Sequence, residues 1–202
     1  VISTDIEQLD NKYYLVTSYR DGSRGTRIKQ IDLAGNVLNE IIFHNNLLSI
    51  YEANKTALIF NHKKQMVLLT CEYDYDTDSD YVALTCVDTS FTILWKHCYL
   101  IDTNSTVGYD LIQTKDSGYA VVGAKYRINN SYDGFLLKID SLGDQQWVKY
   151  YGSANSDNFA NIIETNDGYI MAGRNRQYNQ YYDNWYIVRT DTDGNVIWQW
   201  IL

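Results

Sequence analysis

An all-β fold built from repeated four-stranded sheets is predicted by this 202-residue sequence, and three observations predict it. The first is a recurring turn. "IDLAGNVLN", "VDTSFTILW", "IDSLGDQQW" and "TDTDGNVIW" each close an apolar run with an Asp, at Asp32, Asp88, Asp140 and Asp191, spaced by 56, 52 and 51 residues. Three residues later stands Gly35, Phe91, Gly143 or Gly194, and seven later Asn39, Trp95, Trp147 or Trp198. The second is a strand with the same period. "YYLVTS", "QMVLLT", "GYAVVG" and "GYIMAG" align on Tyr14, Met66, Tyr119 and Tyr169, with a small residue four positions on at Ser18, Thr70, Gly123 and Gly173. The third is that no segment carries a helical period.

Each repeat reads as four strands, a to d. In the third copy "YDLIQT" is strand a, "GYAVVGAKY" b, "GFLLKID" c and "QQWVKYY" d. Strands b and c are apolar on both faces, which predicts that both faces are covered. Four antiparallel strands recurring every 50 to 56 residues or so are blades of a β-propeller. The blades fall at about 1–46, 53–103, 106–152 and 157–202. Trp95, Trp147 and Trp198 are expected to be structural, and Gly123 and Gly173 to let neighbouring blades approach. The acidic "DTDGN" turn raises a choice between a calcium loop and a hairpin connection. The position of Asp193 holds Ala34, Ser90 and Leu142 in the other copies. A calcium loop needs several oxygens together, whereas a hairpin needs one turn-forming residue and a Gly at positive φ, so the hairpin is expected.

Residues 147–175, "WVKYYGSANSDNFANIIETNDGYIMAGRN", resemble the bacterial β-propeller repeat family of secreted and cell-surface proteins. The shared marks are a Trp, a Tyr-Gly pair, an Asp before strand a, and a Gly-Tyr-apolar-Gly strand b. The third and fourth repeats match well; the second keeps Trp95 but has "FNHKKQM" for its turn, and the first has Asn39 in place of Trp. The resemblance implies a propeller and an extracellular or cell-surface setting, and no shared catalytic set.

Composition narrows the function classes. The formal charge is −8 and the pI about 4.7, which disfavours nucleic acid and anionic membrane surfaces as partners. No apolar run approaches the roughly 18 residues needed to span a bilayer. Val1 opens the sequence with no charged-then-apolar leader behind it, so a signal peptide is expected to have been removed or never present. There are 19 Tyr and no Pro; turns must be made with Gly, Asn, Asp and Ser, as in "DGSRG", "DSG" and "NDG".

The b–c loops are the irregular part of each repeat, and binding residues collect on such loops. Arg20, Arg24, Arg127, Tyr132, Asp133, Arg176, Tyr178, Tyr181, Tyr182 and Trp185 are the candidate ligand surface; rings beside guanidinium and carboxylate groups suit a glycan or a protein partner. "DYDTDSD", with Asp74, Asp76, Asp78 and Asp80, copies the first half of a calcium loop. It has Ser79 for the required Gly and Thr85 for the bidentate Glu, so a solvated acidic hairpin tip is favoured and no cofactor is expected. His44, His62 and His97 show no ligand spacing, and Cys71, Cys86 and Cys98 read as buried thiols. No nucleophile triad, Cys-x-x-Cys pair or phosphate loop is present. Asp5 and Asp110 open strand a, beside the central channel, where paired carboxylates could act on a glycosidic bond.

The sequence therefore predicts an extracellular, non-catalytic propeller module for ligand or protein binding, with a carbohydrate-active propeller enzyme using Asp5 and Asp110 as the alternative. The first repeat begins just before strand a and the last stops inside strand d, leaving no spare strand to clasp a ring. The four blades are expected to be an arc of a larger ring, completed by more of the same polypeptide or by a second copy.

Overall fold

The computed structural model describes residues 4–20, 24–44, 57–74, 79–99, 105–127, 131–177 and 182–202. The chain forms two compact units, Val1–Leu100 and Ile101–Leu202, each holding two four-stranded antiparallel sheets whose strands follow one another in sequence order. In the first unit the sheets are β1 (Thr4–Leu9), β2 (Lys12–Arg20), β3 (Arg24–Asp32), β4 (Val37–His44), then β5 (Ala57–Phe60), β6 (Met66–Asp74), β7 (Ser79–Val87), β8 (Ile93–Tyr99). In the second they are β9 (Thr106–Gln113), β10 (Tyr119–Arg127), β11 (Ser131–Ile139), β12 (Gln145–Tyr151), then β13 (Ser156–Glu164), β14 (Tyr169–Arg176), β15 (Asn184–Thr190), β16 (Val196–Ile201). Among the described residues there is no helix.

The repeated turn is held the same way in all four blades. Oδ1 of the turn Asp accepts backbone N–H bonds from residues two and four further on: Ala34 and Asn36 at Asp32, Ser90 and Thr92 at Asp88, Leu142 and Asp144 at Asp140, Asp193 and Asn195 at Asp191. The hydrogen bonds from Asn195 hold the Asp191 carboxyl below the usual range. "DTDGN" is a hairpin connection whose lead carboxylate accepts the N–H groups of Asp193 and Asn195 and the Asn195 side-chain amide. Gly35, Gly143 and Gly194 have φ of 89°, 96° and 75°, and Phe91 adopts 65° in the second blade. A bulky residue rarely holds that conformation; here the ring is buried in the core between the first two blades.

Cross-strand register corrects the alignment of the first repeat. Met66, Tyr119 and Tyr169 each pair with the residue just before the turn Asp or Thr190's equivalent place, namely Val87, Ile139 and Thr190. In the first blade the residue in that place is Ile31, and its partner is Tyr13, not Tyr14. Tyr14 thus occupies the place of Ala120, and Thr17, not Ser18, that of Gly123. Bulk has changed strands. In the third blade a row crosses from Ala120 through Lys138 to Trp147, and in the first from Tyr14 through Gln30 to Asn39. Tyr14 supplies on strand b the ring that Trp147 supplies on strand d. It is buried edge-on against Phe60, 5.0 Å between centroids, and its hydroxyl accepts a 2.7 Å bond from Gln30 Nε2.

The expected role of Gly123 and Gly173 also changes. A Cβ on Gly123 would lie 1.9 Å from the Val107 carbonyl and within 2.9 Å of the Phe135 ring; on Gly173 it would lie 1.9 Å from the Asn158 carbonyl. The obstructing carbonyls belong to strand a of the same blade, where β9 and β13 carry a register shift. These glycines accommodate a bulge within a blade rather than the approach of a neighbour. Neighbour approach is served by Gly134, whose Cβ would meet the Phe159 ring of the next blade at 2.6 Å.

Trp95, Trp147 and Trp198 are half-buried; Trp147 packs at the edge of the core between the third and fourth blades, and Trp198 stacks on Trp200 at 4.7 Å. Trp147 packs edge-on to Tyr169, 6.4 Å between centroids, and its ring lies so close to Gly194 that a Cβ there would meet it at 3.0 Å. Tyr151 donates to the Gly194 carbonyl at 2.7 Å. Strand d of the third blade therefore grips the turn of the fourth. Cys71 and Cys86 are buried, and burial pushes the Cys86 thiol up to about 11; Cys98, expected to be buried, is exposed. No helix among the described residues is long and apolar enough to cross a membrane.

Candidate functional site

The b–c loops and the d–a connections of a blade lie at the same end of its strands. At that end of the second unit, Arg127 closes β10 and Asp133 is the third residue of β11. The guanidinium pairs with Asp133 Oδ1 at 3.1 Å, its Nε donates to Ser131 Oγ at 2.9 Å, and Nη2 donates to the carbonyls of Ser153 and Asn155. Beneath this lies a polar network that sequence reading missed. Asp157, 1% exposed, accepts from Ser153 N and Oγ on one oxygen and from the Asn175 amide on the other. Asn155 Nδ2 donates to Asn175 Oδ1 at 3.0 Å. Each buried polar atom needs such a partner. Gly152 lies where a Cβ would come within 2.2 Å of Asp133 Oδ1 and 3.2 Å of Asp157 Oδ2. The Tyr-Gly pair and following Asp in "YYGSANSD" were the available signal, and they mark this knot between blades. Burial raises the Asp133 carboxyl above its ordinary value and Asp157 adds to this, while Arg127 opposes it.

Among the predicted ligand residues, Arg127 and Asp133 are thus joined to each other and to the d–a loop. Tyr132 stacks edge-on to Tyr126 at 5.5 Å, and its backbone N–H donates to Ser156 Oγ. On the fourth blade Arg176 clamps Asp183 through Nε at 2.6 Å and Nη2 at 3.2 Å, and Arg174 approaches the same carboxylate at 3.6 Å. Beside this ion cluster Tyr182 is exposed and Trp185 is 68% exposed. Tyr178 and Tyr181 lie outside the described residues. Arg20 and Arg24 are register partners at the b–c end of the first blade. In the acidic loop Asp74 pairs in register with Ser79, Asp80 is buried on β7, and Asp76 and Asp78 lie outside the described residues. No group of three or more His, Cys, Asp or Glu side chains that could hold a metal is present among the described residues.

The two strand-a carboxylates, Asp5 and Asp110, are both engaged. Asp5 Oδ1 accepts from the N–H of Ile6 and Oδ2 from the N–H of Leu58 on the next blade, at 2.9 and 2.8 Å. Asp110 repeats this with Leu111 and Ile162, both at 2.9 Å. The two Asp residues occupy the same register position, opposite Val16 and Val122. Blades two and four carry Ala57 and Asn161 there, opposite Leu69 and Ala172.

Four antiparallel sheets of four strands with this repeat make the chain a β-propeller protein. No protein-family model matches the sequence, and no curated protein matches it. Solved structures similar to it include an endo-arabinase from Bacteroides thetaiotaomicron, with a TM-score of 0.53, 15% identity, and coverage of 95% of this chain and 76% of that one. The β-propeller domain of the Trilobed protease from Pyrococcus furiosus has a TM-score of 0.53 and 11% identity, covering 98% of this chain and 57% of that one. A GH43 endo-arabinanase from Bacillus licheniformis has a TM-score of 0.52 and 13% identity, covering 100% and 79%. At these identities the likeness is one of fold.

Proposed function

We propose that this chain is a non-catalytic propeller module that works outside the cell and binds a glycan or a protein partner through its b–c loop end. One observation carries the preference over a glycosidase. Asp5 and Asp110, the carboxylates placed for acid–base work, each hold two backbone N–H groups across a pair of blades. A carboxylate so engaged is poorly placed to exchange a proton with substrate. The exposed Trp185 and Tyr182 beside the Arg176–Asp183 pair form the described part of the binding surface; stacking rings next to fixed charges suit sugar faces and protein hot spots alike.

The larger ring belongs to the same reading. On the fourth blade the sheet face turned away from the third also exposes, away from the b–c loop end, Ile163 and Trp200. An apolar face of that kind suits a further blade of the same polypeptide or of a second copy.

The test is a glycan array that includes arabinan oligosaccharides, run with an assay for released reducing sugar and with Trp185→Ala in parallel. Binding without turnover that weakens at least tenfold in the variant is expected. Turnover that disappears in Asp110→Asn would overturn the proposal in favour of the enzyme.

A further inference from the structure

Between the two blades of the first unit lies a cavity of about 250 Å³ lined by Thr26, Phe43, Leu68, Thr70, Thr85 and Lys96, with the exposed Ile42 and Ile93 at its edge. The second unit provides an internal comparison, because register matches the facing rows residue by residue. On the fourth blade one row runs from Gly173 through Tyr186 to Ile201, and the next from Met171 through Val188 to Gln199. On the second blade the same rows read Thr70, Ala83, Cys98 and Leu68, Thr85, Lys96.

In the second unit a phenol ring stands on the corresponding rows. Tyr186 rises over Gly173, is 1% exposed, stacks on Phe159 at 5.3 Å, and donates its hydroxyl to Gln199 Oε1 at 2.9 Å. The first unit lacks that ring, since Ala83 stands there, and keeps a polar group where the hydroxyl was received. Lys96 replaces Gln199 and pairs with the buried Glu72 at 2.6 Å. Thr70, only 5% exposed, lines the cavity with a hydroxyl that has no hydrogen-bond partner among the described residues. A buried hydroxyl without a partner is costly, and a lined space beside it is where a ligand would supply one.

We propose that this inter-blade pocket binds a small phenol, a planar ring of the size of the tyrosine side chain with one hydroxyl. The ring packs against Leu68 and Phe43, and the hydroxyl meets Thr70 and Lys96. This proposal is independent of the b–c loop surface.

The probe is p-cresol, which is the tyrosine side chain itself, titrated into the whole chain and followed by methyl NMR and by thermal melting. Saturable shifts at the Thr26, Thr70 and Thr85 methyls and a melting temperature that rises with p-cresol are expected. Toluene should bind at least tenfold more weakly. Thr70→Val, which keeps shape and deletes the hydroxyl, should weaken p-cresol about tenfold, and Ala83→Tyr, which restores the fourth blade's ring, should abolish binding. No saturable p-cresol shifts, toluene binding as well as p-cresol, or unchanged affinity in Thr70→Val would each overturn the proposal. Should Ala83→Tyr fold poorly, the toluene comparison and Thr70→Val decide it.

Discussion

Asp110 Oδ2 accepts the backbone N–H of Ile162 at 2.9 Å across the step from the third blade to the fourth, and Asp5 makes the same bond to Leu58 one unit earlier. A side chain within one blade's strand a, near the start of β1 at Asp5 and in the middle of β9 at Asp110, thereby fixes the height of the next blade's strand a. Removing it leaves two N–H groups to find other partners. Asp110→Ala should lower stability by about 1–3 kcal/mol, read from the midpoint of urea unfolding. An unchanged midpoint would show that water replaces the carboxylate at no cost.

Trp147 covers the Gly194 turn and the edge of the Tyr169 ring. It is half-buried, so Trp147→Ala should cost about 3 kcal/mol, at the low end for loss of an aromatic from a core. A melting temperature equal to that of the wild type would mean that the grip on the turn contributes nothing.

Gly173→Ala should be more damaging than its size suggests. The added methyl group would lie 1.9 Å from the Asn158 carbonyl, a backbone atom that can move only by opening the bulge in β13. A loss of about 3 kcal/mol or more is expected, or failure to accumulate folded protein. Gly35→Ala, where nothing lies within 4 Å, isolates the cost of positive φ alone and should be milder.

One acid transition can be placed. Burial opposes ionisation of Asp116, but hydrogen bonds from Lys138, Thr114 and the Gly118 N–H outweigh it and hold the carboxyl at about 2. Its folded value lies below the ordinary one, so this stabilisation is present above about pH 4 and is lost as pH falls toward 2. Because the Asp116 side chain is 54% exposed, solvent screening limits the effect to about 1 kcal/mol. Asp116→Asn should flatten the stability profile between pH 4 and 2 and leave the difference from wild type constant above pH 5.

Chelation provides a further check on the turns. With Asp32, Asp88, Asp140 and Asp191 each accepting two backbone N–H bonds, EDTA should leave the melting temperature unchanged. A drop restored by calcium would place a structural ion in this chain.

The period of the Asp turns and of the Gly-Tyr strands was enough to determine the four blades, their strand order and the hairpin nature of "DTDGN". These are local properties: a turn is specified by a carboxylate and a residue at positive φ within five positions, and a strand by its apolar run. What the tertiary structure decided is everything that depends on the neighbouring blade. Tyr14 looked like the counterpart of Tyr119 until register showed its ring doing on strand b what Trp147 does on strand d, because a core conserves volume and not the strand that supplies it. Asp5 and Asp110 were legible as strand-a carboxylates, but it was not legible that one oxygen of each bonds to an N–H group more than 50 positions away. The Asp157–Asn175 knot and the cavity beside Thr70 and Lys96 were less legible, since the first forms only when β13 pairs with β14 under the Ser153–Asn155 connection and the second only when two sheets stack.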